Sequence, residues 1–362
     1  MNRRAMLIGS GSAALLTLGG TGFVALSGSM TGYNDAMARA RRPLAEEPGL
    51  RELVRYSTLA ANSHNTQPWL FRLGANSVEV LPDFSRRTPV VDPDDHHLFV
   101  SLGCAAQNLA IAAQAAGRPG EITINSDGMG LNYDFVAGPE RPTSLLAAIT
   151  LRQSTRAPYD GRSVSTADLA VLTRSADIEG VDLVLLTDRA RIDTVRELVV
   201  AGNTAQMSDP AFMRELKDWL RFTPRAALAA GDGLFSATSG NPVLPDWLGE
   251  LFFDWFFSAK AENDKYARQI DSSAGIAIFV GEHADWEHWI RVGRACQNFA
   301  LTATSLGLRH AFLNQPLEVA ELRPELARLA GVPDKRPDIV MRFGYGPTLP
   351  FSSRRPIEAV IV

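Results

Sequence analysis

Apolar and polar positions follow two periods along this chain, and the switches between them divide it into helices and strands. Leu50, Leu53, Val54 and Leu59 recur at three- and four-residue spacing, so residues 35–60 are expected to be helical. Pro68 and the polar run Asn62-Ser63-His64-Asn65-Thr66-Gln67 break that period and predict a loop. Residues 70–73 and 77–81 then alternate as a hairpin would, with a turn at Gly74-Ala75-Asn76. A long helix is predicted over 96–116, with a face of small residues that includes Gly103, Ala105, Ala106, Ala112 and Ala113. Strands follow at 122–124 and 131–136. A helix from about Ser144 runs to Arg152-Gln153-Ser154-Thr155-Arg156, and Ser165 or Thr166 caps the next helix. A strand at 181–187, a helix at 189–204, a strand at 276–281, a second long helix at 289–306 and a strand at 338–344 complete the pattern. Residues 207–260 differ in kind, with ten Trp and Phe residues set among Pro and Gly.

The two long helices resemble each other. Gln107-Asn108-Leu109-Ala110-Ile111-Ala112-Ala113 aligns with Gln297-Asn298-Phe299-Ala300-Leu301-Thr302-Ala303, and each helix runs on to a glycine, Gly117 or Gly307. The surrounding element order also repeats, which points to an internal duplication. Chance likeness between two alanine-rich amphipathic helices is the competing explanation.

Composition narrows the class. Apolar residues make up 46% of the 362 and charged residues 21%, so the chain can bury a core and is not disordered. A net charge of -4 leaves no basic footprint for nucleic acid. Two cysteines, Cys104 and Cys296, are too few for a disulfide framework or a four-thiolate metal site. Two buried thiols or one disulfide are both compatible with their positions.

Residues 1–30 read as an address. Arg3-Arg4 precedes a stretch without charge from Ala5 to Met30 that carries five glycines in its first 22 residues. This resembles a twin-arginine export signal, with Ala25 and Ser27 as a small-residue cleavage site, and implies the export machinery as a partner and a periplasmic or envelope location. The stretch is also long enough for an uncleaved anchor.

Asn65-Thr66-Gln67-Pro68-Trp69, Arg152-Gln153-Ser154-Thr155-Arg156 and the tail from Gly344-Tyr345-Gly346 to Arg354-Arg355-Pro356 together resemble the nitroreductase-type flavoprotein family. The resemblance runs from about residue 35 to the C-terminus, apart from 207–260. A typical member places the Arg-x-Ser-x-Arg motif first, whereas here the Asn-x-Gln-Pro-Trp loop leads. A fused duplication in which each half kept part of one site would leave that order, and the arrangement resembles the Acg-like subfamily. The implied fold is α+β: a nitroreductase-like, internally duplicated single-chain pseudo-dimer with mixed sheets flanked by helices. Its implied division is an export signal at 1–30, a first half at 31–140 and a second half at 141–362. The aromatic segment at about 207–260 would be an inserted lid; a helical core or a partner-facing patch is the alternative.

The resemblance implies one FMN per chain at the seam, a small electron-poor substrate and NAD(P)H as the family's usual donor. It implies a monomer or a homodimer. A non-catalytic protein that holds FMN under a closed lid is the alternative function. Phosphate is best met by forked, permanently charged guanidinium groups, which makes Arg152, Arg156, Arg354 and Arg355 the candidates, with Ser154 as a hydroxyl donor. Amides can meet both donors and acceptors on a flavin ring edge, and family position assigns that role to Asn65 and Gln67, with Asn62 and Ser63 beside them. Asn314 and Gln315 are expected to supply a backbone donor to the ring's redox nitrogen. No protein nucleophile is required, because a flavin carries the redox chemistry itself. Asp92, Asp94 and Asp95 beside His96-His97 read as a helix start, with Asp94-Asp95 at its first turn, and no metal is expected there.

Overall fold

The computed structural model describes residues 27–125 and 130–362. The proposed export signal therefore lies almost wholly outside the described residues. Helix α1 (Met30–Ala40) is capped by the Ser29 hydroxyl, which accepts from the Gly32 amide at 3.0 Å. The helix expected over 35–60 is two helices, α1 and α2 (Leu50–Ser57). Pro43 and Pro48-Gly49 separate them, because proline lacks the amide that would continue a helical ladder.

Two four-stranded sheets organise the chain. The first contains β1 (Trp69–Leu73), β2 (Ser77–Pro82), β3 (Gly120–Ile124) and β4 (Leu131–Phe135) in the order β1-β2-β4-β3, with helix α3 (His96–Ala115) between β2 and β3. Helices α4 (Ser144–Leu151) and α5 (Thr166–Ser175) lead to the second sheet. It begins with β5 (Val181–Leu186) and α6 (Arg189–Ser208). The aromatic segment then folds as α7 (Pro210–Asp218), β6 (Leu220–Arg221), α8 (Pro224–Ala230), β7 (Leu234–Phe235) and α9 (Asp246–Phe256). The remaining elements are α10 (Ala259–Asp271), β8 (Gly275–Gly281), α11 (Trp286–Ser305), β9 (Arg309–Phe312), α12 (Gln315–Glu318), α13 (Arg323–Ala330) and β10 (Pro337–Gly344).

The second sheet has the order β5-β8-β10-β9, with α11 between β8 and β9. Taken in chain order within each sheet, both therefore run first-second-fourth-third, with a long helix after the second strand. All ladders in both are antiparallel. The sheets were expected to be mixed; among the described residues parallel pairing enters them only through single bridges, Phe71 with Ile361 and Ser154 with His310. Each bridge is made by a crossing segment. The tail after β10 reaches the edge of the first sheet, and the segment after α4 reaches the edge of the second.

Helices α3 and α11 cross within one continuous apolar core that draws on both sheets. The crossing is tight because both helices present glycine there. A Cβ on Gly103 would lie 2.0 Å from the Ile290 carbonyl oxygen, and one on Gly293 would lie 2.0 Å from that of Val100. Helix α3 is buried along nearly its whole length, which explains its small, apolar composition. Its N-terminus is held by Asp92, whose two carboxylate oxygens accept from the His97 and Leu98 amides at 3.0 and 3.1 Å. The sequence reading had given that role to Asp94-Asp95. Those residues are engaged elsewhere, Asp94 with Arg336 and Asp95 with Arg87.

Candidate functional site

The loop between α2 and β1 has an unusual backbone. His64, Asn65 and Gln67 all have positive φ, at 45°, 55° and 54°. Such conformations are costly for residues with a Cβ and persist only where surrounding contacts impose them. Here the contacts are visible. Gln67 is fully buried, and its amide nitrogen donates to the Gly231 carbonyl at 2.8 Å and the Asn65 carbonyl at 3.3 Å. Its amide oxygen accepts from the Arg355 backbone at 2.8 Å. Asn65 donates to the Gly233 and Ser353 carbonyls, both at 3.1 Å, and accepts from Arg354 at 2.8 Å. Asn62 accepts from the Gln67 amide at 2.9 Å. The loop is thus bound to both the crossing tail and the segment after α8.

Beside this loop lies a recess built from guanidinium groups. Arg41 follows α1, Arg152 follows α4, Arg354 comes from the tail, and Arg156 stands at the recess's inner edge. Ser154, Asn62, Asn65 and Gln153 line the same recess, and no carboxylate does so among the described residues. Backbone carbonyls hold the arginines in place. Arg354 donates to the Thr58 carbonyl at 2.6 Å, Arg152 to that of Leu59 at 3.0 Å and Arg41 to that of Thr150 at 3.2 Å. Arg41 also lies 4.0 Å from the Phe351 ring centroid. The Arg152 Nε is buried without a partner. Burial lowers the pKa of all four groups. Arg354 and Arg152 also repel Arg41, and burial together with repulsion from Arg152 pushes Arg354 down to about 9. Like charges gathered away from water are stable only when something neutralises them. The recess is therefore built for an anion.

Ala61, Asn62, Arg156 and Leu234 line both this recess and a neighbouring cavity of about 220 Å³. One wall of the cavity is Ser63, His64 and the N-terminal turns of α3. Residues of α6 and α12 line it as well. Asn314 accepts from the Val340 amide at 3.1 Å, and the buried Gln315 presents an unpartnered amide oxygen. Gly202 allows α6 to press on Gln315, since a Cβ there would lie 2.9 Å from the Gln315 backbone. Phe212, Leu216, Leu220, Leu234 and Phe257, all from the aromatic region, also line the cavity. Trp247 and Trp255 do not join them; they are 69% and 77% exposed on α9.

The structure brings nine of the eleven expected residues to this joint site: Asn62, Ser63, Asn65, Arg152, Ser154, Arg156, Asn314, Gln315 and Arg354. It does not bring Gln67 or Arg355 there. The Gln67 amide is consumed in fastening the loop, and Arg355 is paired with Asp83 at 3.2 Å. The sequence reading missed Arg41, which sits in an unremarkable helix end more than a hundred residues from the Arg-x-Ser-x-Arg motif. It also missed His97 and Glu318, which meet across the cavity wall at 3.3 Å. Asp92, His96 and His97 bring ligand-type atoms within 4.8 Å of one another, although both Asp92 oxygens already serve the helix start. Cys104 and Cys296 are free and buried.

Residues 149–346 match the nitroreductase family model, so this chain belongs to the nitroreductase family of oxidoreductases. A provisionally named NAD(P)H nitroreductase of Mycobacterium tuberculosis is 25% identical over 348 residues, spanning 93% of this chain and 97% of that protein. Among solved structures, a nitroreductase with bound FMN from Desulfitobacterium hafniense aligns at 12% identity with a TM-score of 0.38, over 61% of this chain and 98% of the other. The FMN-dependent nitroreductase NfnB from Mycobacterium smegmatis, solved with NADPH, aligns at 12% identity with a TM-score of 0.38, over 56% and 87%.

Proposed function

We propose that this chain binds one FMN and reduces a small electron-poor acceptor, with NAD(P)H as electron donor. The observation that carries the reading is the recess of Arg41, Arg152, Arg156 and Arg354, which holds four guanidinium groups and, among the described residues, no carboxylate, and adjoins a cavity edged by amides. A phosphate monoester supplies the missing negative charge, and the adjoining cavity receives the ring. Arg41, Arg152, Arg354 and Ser154 would hold the phosphate. Arg156, Asn62, Ser63, Asn314 and Gln315 would meet the ribityl chain and ring edge. FMN in this place supplies hydride and electron transfer. The chain's own part is to neutralise the phosphate, orient the ring and exclude water. The name of the Mycobacterium tuberculosis relative supports NAD(P)H as the donor.

The finer architecture belongs to the same proposal. The common strand order of the two sheets and the reciprocal glycine contact of α3 and α11 support an internal duplication, with halves at 31–140 and 141–362. The site then lies at the seam of a single-chain pseudo-dimer of the Acg-like kind. Phe212, Leu216 and Phe257 over the cavity support reading 207–260 as a lid. The Arg3-Arg4 signal and a periplasmic or envelope location rest on the sequence pattern. A lid that stays shut would make the protein a flavin store instead of an enzyme, and the five apolar side chains over the cavity are what favour that second reading.

The test is flavin content followed by turnover. Protein expressed without residues 1–30 is expected to carry about one FMN per chain, released on denaturation. NADPH should bleach the flavin spectrum, and a nitroaromatic or quinone should restore it in repeated cycles. Bound flavin that neither donor nor acceptor reaches would favour storage, and protein that takes up no FMN would refute the binding reading.

A further inference from the structure

The turn between β8 and α11 brings together three side chains of the kind that hold transition metals. One potential ligand atom from each of Glu282, His283 and His288 lies within 4.8 Å of the other two. The histidines are written His-x4-His, a spacing that zinc-binding histidine pairs use. None of the three lines the anion recess or its cavity.

His288 is already arranged as a ligand. Its Nδ1 lies 2.7 Å from Asp285 Oδ1, an oxygen that also accepts from the His288 backbone amide at 2.9 Å. A carboxylate oxygen only accepts, so the proton of the neutral ring sits on Nδ1 and the lone pair is left on Nε2. Carboxylates hold metal-bound histidines in this way, fixing tautomer and ring orientation. Nε2 faces Gly180, where a Cβ would lie 3.5 Å away, so that edge of the ring is left uncovered by this residue. The Gly180 carbonyl accepts from the Glu282 amide at 2.9 Å, which ties the turn before β5 to the turn that carries the ligands. The His283 ring stands edge to face with His288, centroids 4.7 Å apart. A tetrahedral zinc with bonds of about 2.1 Å needs ligand atoms roughly 3.4 Å apart. Glu282 and His283 are exposed, so their side chains can turn to close that difference on the fixed His288. The surrounding charge favours a cation: Glu179, Asp285 and Glu287 join Glu282 at this surface. Arg291, the opposing guanidinium, is paired with Glu287 at 2.6 Å and Glu179 at 3.8 Å.

We propose that Glu282, His283 and His288 form a zinc site, with Asp285 as the positioning residue that orients His288. Two imidazoles and one carboxylate suit this borderline cation and disfavour Ca2+ and Mg2+, which take oxygen ligands. Three protein ligands leave the fourth tetrahedral position to water. The site stands apart from the FMN reading, and neither depends on the other.

The experiment titrates Zn2+ into the purified protein, carrying no histidine tag and stripped by a chelator, and follows binding by calorimetry. Wild type should take up about one zinc per chain in a saturable way, and an excess of Mg2+ should not displace it. X-ray absorption at the zinc edge should show only nitrogen and oxygen neighbours, with scattering from two imidazole rings. Asp285→Asn keeps a good helix cap and should weaken zinc about 10- to 100-fold, the range for partners of ligating histidines. His283→Gln and His288→Gln remove ligands and should weaken it further, with circular dichroism unchanged. Affinity unaltered in either histidine variant, uptake that does not saturate, or sulfur neighbours, which would point to Cys104 or Cys296, overturns the site. Unaltered affinity in Asp285→Asn overturns its positioning role.

Discussion

Gly103 and Gly293 make the same contact in mirror fashion. Each lies against a carbonyl oxygen of the opposite helix three residues before its partner, Ile290 for Gly103 and Val100 for Gly293. The neighbouring contacts also cross the axis, as Gln297 donates to Asn108 at 2.7 Å and Arg294 to Gln107 at 3.2 Å. The long helices therefore pack backbone to backbone, and the N-terminal turns of α3 that line the cavity continue from that crossing.

Substituting Gly293 with valine should separate α3 from α11. The added carbons would meet backbone that cannot turn aside, so a loss of more than about 3 kcal/mol is expected, at the upper end of overpacking effects. Urea denaturation followed by circular dichroism measures it. Stability within 1 kcal/mol of wild type would mean that the crossing can relax.

Arg41→Gln should discriminate between flavins. It removes one charge-assisted contact to phosphate, worth about 1.5–3 kcal/mol, and so weakens FMN roughly 10- to 150-fold. Riboflavin lacks the phosphate and should bind wild type and variant alike. Flavin fluorescence titration with both ligands checks this, and an equal effect on both would place Arg41 outside the phosphate recess.

Gln67→Ala should act on stability before binding. It leaves the Arg355 amide and the Gly231 carbonyl without their buried partner, at a cost of about 1–3 kcal/mol. Thermal unfolding should shift down by several degrees. FMN affinity measured well below that transition should change less than in Arg41→Gln.

His64 sets a pH dependence whose sign follows from its environment. Burial lowers its folded pKa from 6.5 to about 4. Between those values the unfolded chain binds more protons than the folded one, so this contribution to stability is present above pH 6.5 and is lost as pH falls towards 4. Buried His96 and His310 act in the same direction, and Asp338, raised to about 7, acts in the opposite one. The useful quantity is therefore the difference between proteins. His64→Gln should lose less stability than wild type between pH 7 and 4.5, measured as urea midpoints, and an identical loss would contradict the assignment.

Much of this was legible in the residues. The period of α3, α11 and the hairpin β1–β2 was written in their apolar spacing, because each buries one face or all of itself in a shared core. The motif at 152–156 and the amides at 62–65 and 314–315 were singled out by the resemblance to nitroreductase-type flavoproteins, and the structure gathers them round one recess and cavity. The split between α1 and α2 is marked in the sequence by Pro43 and Pro48, although the apolar spacing runs on across it.

Other features depend on which distant segments meet. Arg41 carries no local mark, and it joins the recess only because the end of α1 packs beside the segment that follows α4. Gln67 and Arg355 look like ligands of a cofactor until the tail crosses the loop and consumes their hydrogen bonds. His97 and Glu318 were ordinary residues, more than two hundred positions apart, until α3 and α12 became walls of one cavity. Sequence alone determined the elements and the kinds of side chain available, since spacing and chemical type are local properties. Tertiary structure decided which polar groups satisfy one another and which are left facing the cavity, because hydrogen-bond partnership and burial are properties of the packed chain.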